Sequence, residues 1–324
     1  EPEDFHAGGS DASGIVWAIG EKVDNVAIGD EVVIACGVWD KNAKDIIGGK
    51  DPMESETAGI WGYDTNYGSF AQFALVKDFQ CYNKPSHLSW EEASCYMLTG
   101  ATAYRQLIGF PPHQLNQKDP VLIWGGAGGL GEMAIKICKA FDAIPIAVVS
   151  DQEKEEFCKS IGAQGTINRK HYTHWGRLPN INNNAEMKNW TLEAKRFLNT
   201  YYEELGEKRK PRIIFEHSGQ DTIPTSIYVC DTGGMIVICG GTSGYNADVD
   251  LRYLIATIDR NDQILAKEVY KTTVSFMDGI QTARNTQEVE VFIPSAGKID
   301  FRNHKVLVGF ELTEVQLQYN RGIR

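Results

Sequence analysis

One continuous stretch, DPVLIWGGAGGLGEMAIKICKAFDAIPIAVVS (residues 119–150), limits the folds open to this chain more than any other. VLIW (121–124) is an unbroken apolar run, the mark of a strand buried on both faces of a parallel sheet. A glycine-rich turn follows, and then a helical pattern. Leu130, Met133, Ala134, Ile137 and Phe141 fall on one side of that helix, with Glu132, Lys136 and Lys139 on the other. IPIAVV (144–149) supplies a second buried strand and closes a βαβ unit.

Further strands are expected at GTIN (165–168), RIIFEH (212–217) and MIVICGG (235–241). Strands alternating with helices predict an α/β fold, a Rossmann-type doubly wound parallel sheet. The polar stretch between the third and fourth strands carries a helix, NWTLEAKRFLNTYYEELG, with Trp190, Phe197, Tyr201 and Leu205 as its inner stripe. An insertion of this kind, near 170–211, reads as an elaboration or a subunit contact. Residues 1–90 have another texture: SGIVWAIG, DEVVIACGVW and FAQFALV are short β-branched or aromatic runs between turn residues. EEASCYMLTGATAYRQLIGF then predicts a helix burying Met97, Ala101, Tyr104 and Ile108. By that change of texture a β-rich part is expected over 1–100 and a dinucleotide-binding domain over 101–267.

Gly126, Gly128 and Gly131 spell GxGxxG where the strand becomes the helix. A tight turn and the close approach of a pyrophosphate each need a residue without a Cβ. The start of the helix, Gly129, Leu130 and Gly131, offers free N–H groups and the positive end of the helix dipole. The motif alone is weak, but strand and helix flank it as dinucleotide binding requires. A site for NAD usually ends the second strand with an acid for the ribose 2′-hydroxyl. Here the strand ends in Val149 and Ser150, and Lys154 follows one turn later. A hydroxyl and an ammonium suit a 2′-phosphate, so the pattern favours NADPH. Asp151 complicates this reading unless it caps the next helix. Arg169 is a third candidate contact, with a solvated surface cation as the plain alternative.

A formal charge of −11 argues against nucleic acid or an anionic membrane as partner. The seven cysteines contain no CxxC and no dense framework, which fits a reducing, cytoplasmic setting and gives no metal site. His171 and His174 read as surface or packing residues. No apolar run is long enough to span a bilayer, residue 1 does not open a signal peptide, and a start at EPEDFH without Met looks like a fragment.

GGSDASGIVWAIGEKVDNVAIGDEVV, ending in a GDxV turn at Gly29–Val32, resembles the GroES-like catalytic domain of the medium-chain dehydrogenase/reductase superfamily. That resemblance further implies that 268–324 returns to the β-rich part over 1–100, the two forming an incomplete catalytic domain. The cysteine-rich lobe of the zinc-bearing branch has no counterpart. GKDPM, IWGYDTNYGSFAQF, HLSWEEASCYMLTGATAYR, WGGAGGLG, INRK, HWGRLP, FEHSGQ, DTGGMIVICGGTSGYN and DLRYL together resemble the crotonyl-CoA carboxylase/reductases, nearly continuously from Gly8 to Leu254. The resemblance implies reductive carboxylation: NADPH gives hydride to the β-carbon of an enoyl-CoA, and the enolate attacks CO2. It implies that Tyr63 and Asp64 help form the CO2 pocket, and that Arg252 and Tyr253 hold the adenine and phosphate end of CoA. Read as bare residues, the first pair could simply pin a loop and the second could be a surface pair. The family also implies a homo-oligomer joined through its dinucleotide domains, for which the MIVICGG edge is a candidate.

Three departures from the family pattern stand out. The acid is Asp64 where Glu is usual. The CO2-facing Asn belongs to an amino-terminal segment not present in these residues. No His occurs in IATIDRNDQILAKEVYK. Poor turnover by residues 1–324 alone is therefore expected. Two rivals share the glycine turn: an enoyl-thioester or quinone reductase that protonates its enolate, and a catalytically silent NADPH-binding module.

Overall fold

The computed structural model describes residues 5–109, 114–180 and 182–249. Segment 268–324 of the expected catalytic domain lies outside them.

The amino-terminal part contains β1 (Ala12–Ile15), β2 (Glu31–Ile34), β3 (Gly37–Val38), β4 (Gly59–Ile60) and β5 (Cys81–Asn83). β1, β2 and β5 form an antiparallel sheet, and β3 pairs with β4. The alternation in EVVI serves this sheet: Val32 and Ile34 pack with Trp61 in a small core. Two short helices, α1 (Lys44–Ile47) and α2 (Trp90–Ala93), lie in the same part.

FAQFALV is not a strand. Phe70, Phe73 and Leu75 are all exposed, and a β pattern becomes a strand only beside a neighbour that takes its hydrogen bonds. Here the N–H groups of Ser69 and Phe70 go instead to the carbonyls of Gly9 and Gly8. The helix expected next is broken in two. Ser89 and Glu92 cap α2 reciprocally, and a separate helix, α3 (Met97–Ile108), spans the expected boundary at 100/101. The buried face of α3 is Ala103, Gln106 and Leu107, whereas Ala101 and Tyr104 face solvent.

From residue 120 the expected strands and helices hold closely, except that the helix after the glycine turn buries Gly131, Ala134, Ile135 and Cys138, with Leu130, Met133 and Ile137 only half-buried and Phe141 exposed. The elements are β6 (Pro120–Trp124), α4 (Gly129–Ala140), β7 (Ile144–Val149), α5 (Gln152–Ile161), β8 (Gly165–Asn168), α6 (Asn184–Leu205), β9 (Ile213–Glu216), α7 (Ile223–Val229) and β10 (Met235–Ile238). The five strands form one parallel sheet in the order β10-β9-β6-β7-β8. The chain winds outward from β6 in both directions, so the topological switch point lies between β6 and β9.

Each face of the sheet has its own core. On one side Val121, Ile123, Ala147 and Phe215 pack against Ala134, Ile135 and Cys138 of α4. On the other, Leu122, Trp124, Ile146 and Ile214 meet Phe197, Tyr201 and Leu205 of α6. The inner stripe of α6 is as expected, but the helix is no appendage. It is the layer that keeps the second face of the sheet from water. Trp124 stacks on Phe197 with ring centroids 5.5 Å apart, and burying such a ring contributes ~1.5–3 kcal/mol. Among the described residues, no helix is long and apolar enough to cross a membrane.

Candidate active site

The turn after β6 is held by its own backbone: Gly126 N donates to Val148 O at 3.2 Å and Gly128 N to Gly125 O at 2.9 Å. The three motif glycines have different constraints. A Cβ on Gly126 would lie 2.6 Å from the Cβ of Ala147, so β7 requires that glycine. One on Gly131 would lie 2.6 Å from Gly126 Cα and closer still to Gly125 O, so the turn and α4 touch backbone to backbone there. At Gly128 the nearest neighbour would be Gly125 O at 3.3 Å, which leaves that side of the turn open. The first-turn N–H groups of Gly129, Leu130 and Gly131 have no intrahelical acceptor and point out of the helix end.

Sequence reading missed Thr99. Its methyl group would be 3.2 Å from a Cβ on Gly129, and its hydroxyl is buried without a hydrogen-bond partner. A buried hydroxyl left unpaired beside the first turn of a helix leaves a donor for a ligand oxygen there. Nothing in TGATAY marks one threonine above the other.

Ser150, Asp151 and Lys154 meet at the carboxyl end of β7. The Lys154 ammonium donates to Asp151 Oδ2 at 2.8 Å and to Ser150 Oγ at 3.0 Å, and Ser150 Oγ donates to Asp151 Oδ2 at 2.9 Å. Asp151 Oδ1 also accepts from Lys154 N, so Asp151 caps α5. The Lys154 side chain is the chief reason that the Asp151 carboxyl is held down at about 2. Asp151 therefore caps the helix, as the sequence allowed, and its other oxygen holds the Lys154 ammonium. Arg169 sits in a 3-10 turn after β8, exposed, with its carbonyl accepting from Trp175 Nε1 at 3.0 Å. The Ser150 hydroxyl bonds to Asp151 and Lys154, not to the Arg169 guanidinium.

In IWGYD the acid folds back on its own turn. Ile60 N donates to Asp64 Oδ2 at 2.7 Å, and Asp64 N donates to Ile60 O at 2.7 Å. Trp61 is buried and donates Nε1 to Leu75 O, while Tyr63 is 58% exposed. The arrangement pins a tight turn and presents the Tyr63 ring outward. Arg252 and Tyr253 lie outside the described residues. Among the described residues, no group of three or more His, Cys, Asp or Glu side chains could hold a metal ion.

A parallel sheet with a glycine turn at its switch point, preceded by a β-rich lobe, defines a medium-chain dehydrogenase/reductase. Residues 2–86 match the alcohol dehydrogenase GroES-like domain and residues 129–279 the zinc-binding dehydrogenase domain. Within that superfamily the chain is similar to crotonyl-CoA carboxylase/reductases. It is 47% identical to the crotonyl-CoA carboxylase/reductase of Cereibacter sphaeroides over 77% of this chain and 58% of that protein. It is 40% identical to the crotonyl-CoA reductase of Streptomyces avermitilis over 79% of this chain and 56% of that one. The solved crotonyl-CoA carboxylase/reductase AntE in complex with NADP is 56% identical, with a TM-score of 0.77 over 79% of this chain and 63% of AntE. The 2-octenoyl-CoA carboxylase reductase CinF, in complex with NADP and 2-octenoyl-CoA, is 37% identical, with a TM-score of 0.68 over 77% of this chain and 54% of CinF. The chain thus spans a little over half the length of these curated relatives.

Proposed function

We propose that this chain binds NADPH across the carboxyl ends of β6 and β7 and serves the reductive carboxylation of an enoyl-CoA. The observation that carries this reading is the pairing of two features. A backbone cradle at Gly131 admits no side chain, and a Ser150–Lys154 cluster stands one strand away with an ammonium for a 2′-phosphate. Bound NADPH supplies the hydride that makes an enoyl thioester nucleophilic at its α-carbon. The residues of the chain do the rest. The N–H groups of Gly129, Leu130 and Gly131, with the Thr99 hydroxyl, take the pyrophosphate. Arg169 is an outer contact on the adenine side. Tyr63, on the turn held by Asp64, forms a wall of the CO2 pocket, and Arg252 and Tyr253 take the adenine and phosphate end of CoA. In this reading residues 101–267 bind the nucleotide, residues 1–100 and 268–324 build the substrate side, and copies of the chain pair along the outer edge of β10.

The test is crotonyl-CoA-dependent oxidation of NADPH with labelled bicarbonate, with mass analysis of the product. Labelled ethylmalonyl-CoA supports the proposal. Unlabelled butyryl-CoA alone supports the second reading, an enoyl-thioester reductase. That reading is favoured by Asp64, whose carboxylate is engaged by Ile60 N.

Two outcomes follow from the geometry. Lys154→Ala removes the charge-assisted donor of the cluster, so NADPH binding weakens about tenfold and NADH binding does not change; fluorescence titration of both nucleotides measures this. Asp64→Asn keeps an oxygen for Ile60 N, so the carboxylated share of product stays within about twofold. Asp64→Ala loses the turn's hydrogen bond, and that share falls about tenfold. Product partitioning in bicarbonate separates the two, and an Asn variant as poor as Ala would show that the charge matters rather than the turn.

A further inference from the structure

Glu216, the last residue of β9, is fully buried, yet every group bonded to it is a neutral donor. Oε1 accepts from the N–H groups of His217 (3.0 Å), Ser218 (2.8 Å) and Gly219 (3.3 Å) and from Thr222 Oγ1 (2.8 Å). Oε2 accepts from Ser226 Oγ (2.8 Å), which in turn accepts from Trp124 Nε1 (2.8 Å). Five hydrogen bonds converge on two oxygens: three come from backbone N–H groups, which can only donate, and two from hydroxyls, which can donate to a carboxylate or accept from a carboxylic proton. Burial outweighs the donors and raises the pKa of the carboxyl, while the ring of donors holds it back toward the anion. The three N–H dipoles aimed at Oε1 form a nest that suits a carboxylate, which would be a negative charge in a dry place.

Its position gives the charge a use. β9 is next to β6 across the switch point, and Trp124, which ends β6, is tied to Glu216 through Ser226. If NADPH lies as proposed above, its 2′-phosphate is at the end of β7 and its pyrophosphate at the turn after β6. The nicotinamide half then continues over the ends of β9 and β10. The wall there is stiff: Ser243 N and Oγ both donate to Ser218 O at 2.8 Å, and Gln220 N donates to Gly244 O at 2.9 Å. Loss of hydride turns the neutral dihydronicotinamide ring into a pyridinium cation, the two electrons leaving with the hydrogen for the β-carbon of the enoyl substrate. A fixed anion nearby stabilises the cation and not the neutral ring.

We propose that Glu216 acts on the cofactor through its field, favouring oxidised NADP+ over NADPH and so drawing the hydride out. The inference rests on the nucleotide reading above. Its test is calorimetric titration of the whole chain and of Glu216→Gln with NADP+, NADPH and 2′,5′-ADP. The ratio of the NADP+ to the NADPH dissociation constant is expected to rise about tenfold in the Gln variant. Glu216→Asp, which keeps the charge, leaves the ratio unchanged, and 2′,5′-ADP binds all three proteins alike. Equal weakening of both nucleotides in the Gln variant would make Glu216 a scaffold only and overturn the proposal. Should the Gln variant not fold, infrared spectra of the unaltered chain decide: a protonated buried carboxyl band at neutral pH that Glu216→Asp shifts overturns it, and its absence upholds the anion. Failure of the unaltered chain to bind any of the three ligands overturns the nucleotide reading itself, a result distinct from binding with an unmoved ratio.

Discussion

Replacing Gly131 by alanine is expected to weaken NADPH binding about a hundredfold, a far larger effect than alanine at Gly128. The new methyl would lie 2.6 Å from Gly126 Cα and 2.9 Å from the carbonyl carbon of Gly125. Neither neighbour is a flexible side chain that can swing away. α4 cannot retreat either, because Ala134, Ile135 and Cys138 lock it to the sheet. The turn must therefore give, and it carries the groups proposed to meet the pyrophosphate. A misplacement of about 1 Å in such a site costs on the order of a hundredfold, and the overpacking itself costs ~1–3 kcal/mol of stability. At Gly128 the nearest atom would be 3.3 Å away and φ is −86°, so alanine there fits with under about 1 kcal/mol of loss. Urea denaturation reads the stability of both variants and fluorescence titration their affinity. A Gly131→Ala protein that folds and binds NADPH normally would mean that the phosphates lie elsewhere.

The contrast between these two glycines shows what the sequence could and could not convey. The strand and helix around the motif were legible because burial on both faces leaves a local signature, VLIW and IPIAVV, that no loop imitates. α6 was legible for the same reason, its apolar residues falling at helical spacing. Its role was not, since spacing says which face is buried but not what covers it. α3 failed differently: its inner face holds Gln106, fully buried, and Tyr104 points out. Periodicity assumes that inward residues are apolar, so one buried amide turns the helix in the reader's mind. FAQFALV carries a strand's composition without a partner for its backbone, and pairing is a long-range fact. The site divides along the same line. Glycine spacing, Ser150 and Lys154 are local in sequence, whereas Thr99 comes beside the turn from about thirty residues before it, and Glu216 is tied to Trp124 through Ser226 from about ninety after.

The largest pH effect is expected at His174. The ring is only 7% exposed, both nitrogens lack partners, and aromatic rings crowd it. Trp175 lies 4.4 Å away centroid to centroid, and Trp190 and Tyr172 close the cage edge-on. Burial, helped by the nearby Arg196 cation, lowers its pKa from 6.5 to about 4. The folded state thus resists a proton that the unfolded chain takes up readily. Above pH 6.5 both states leave the imidazole neutral and it contributes no pH dependence. Between pH 6.5 and about 4 the unfolded chain binds more protons, so stability falls as the pH falls. Integrated over that window the loss is about 3 kcal/mol. His174→Phe keeps the aromatic packing and removes the titration. Urea midpoints measured every half unit from pH 7 to 4 should therefore decline less steeply in the variant, by about that amount at the acid end. Parallel curves for the two proteins would show that His174 takes its proton in the folded state as easily as in the unfolded one. The cage would then be wetter than the packing of Trp175, Trp190 and Tyr172 around the ring implies.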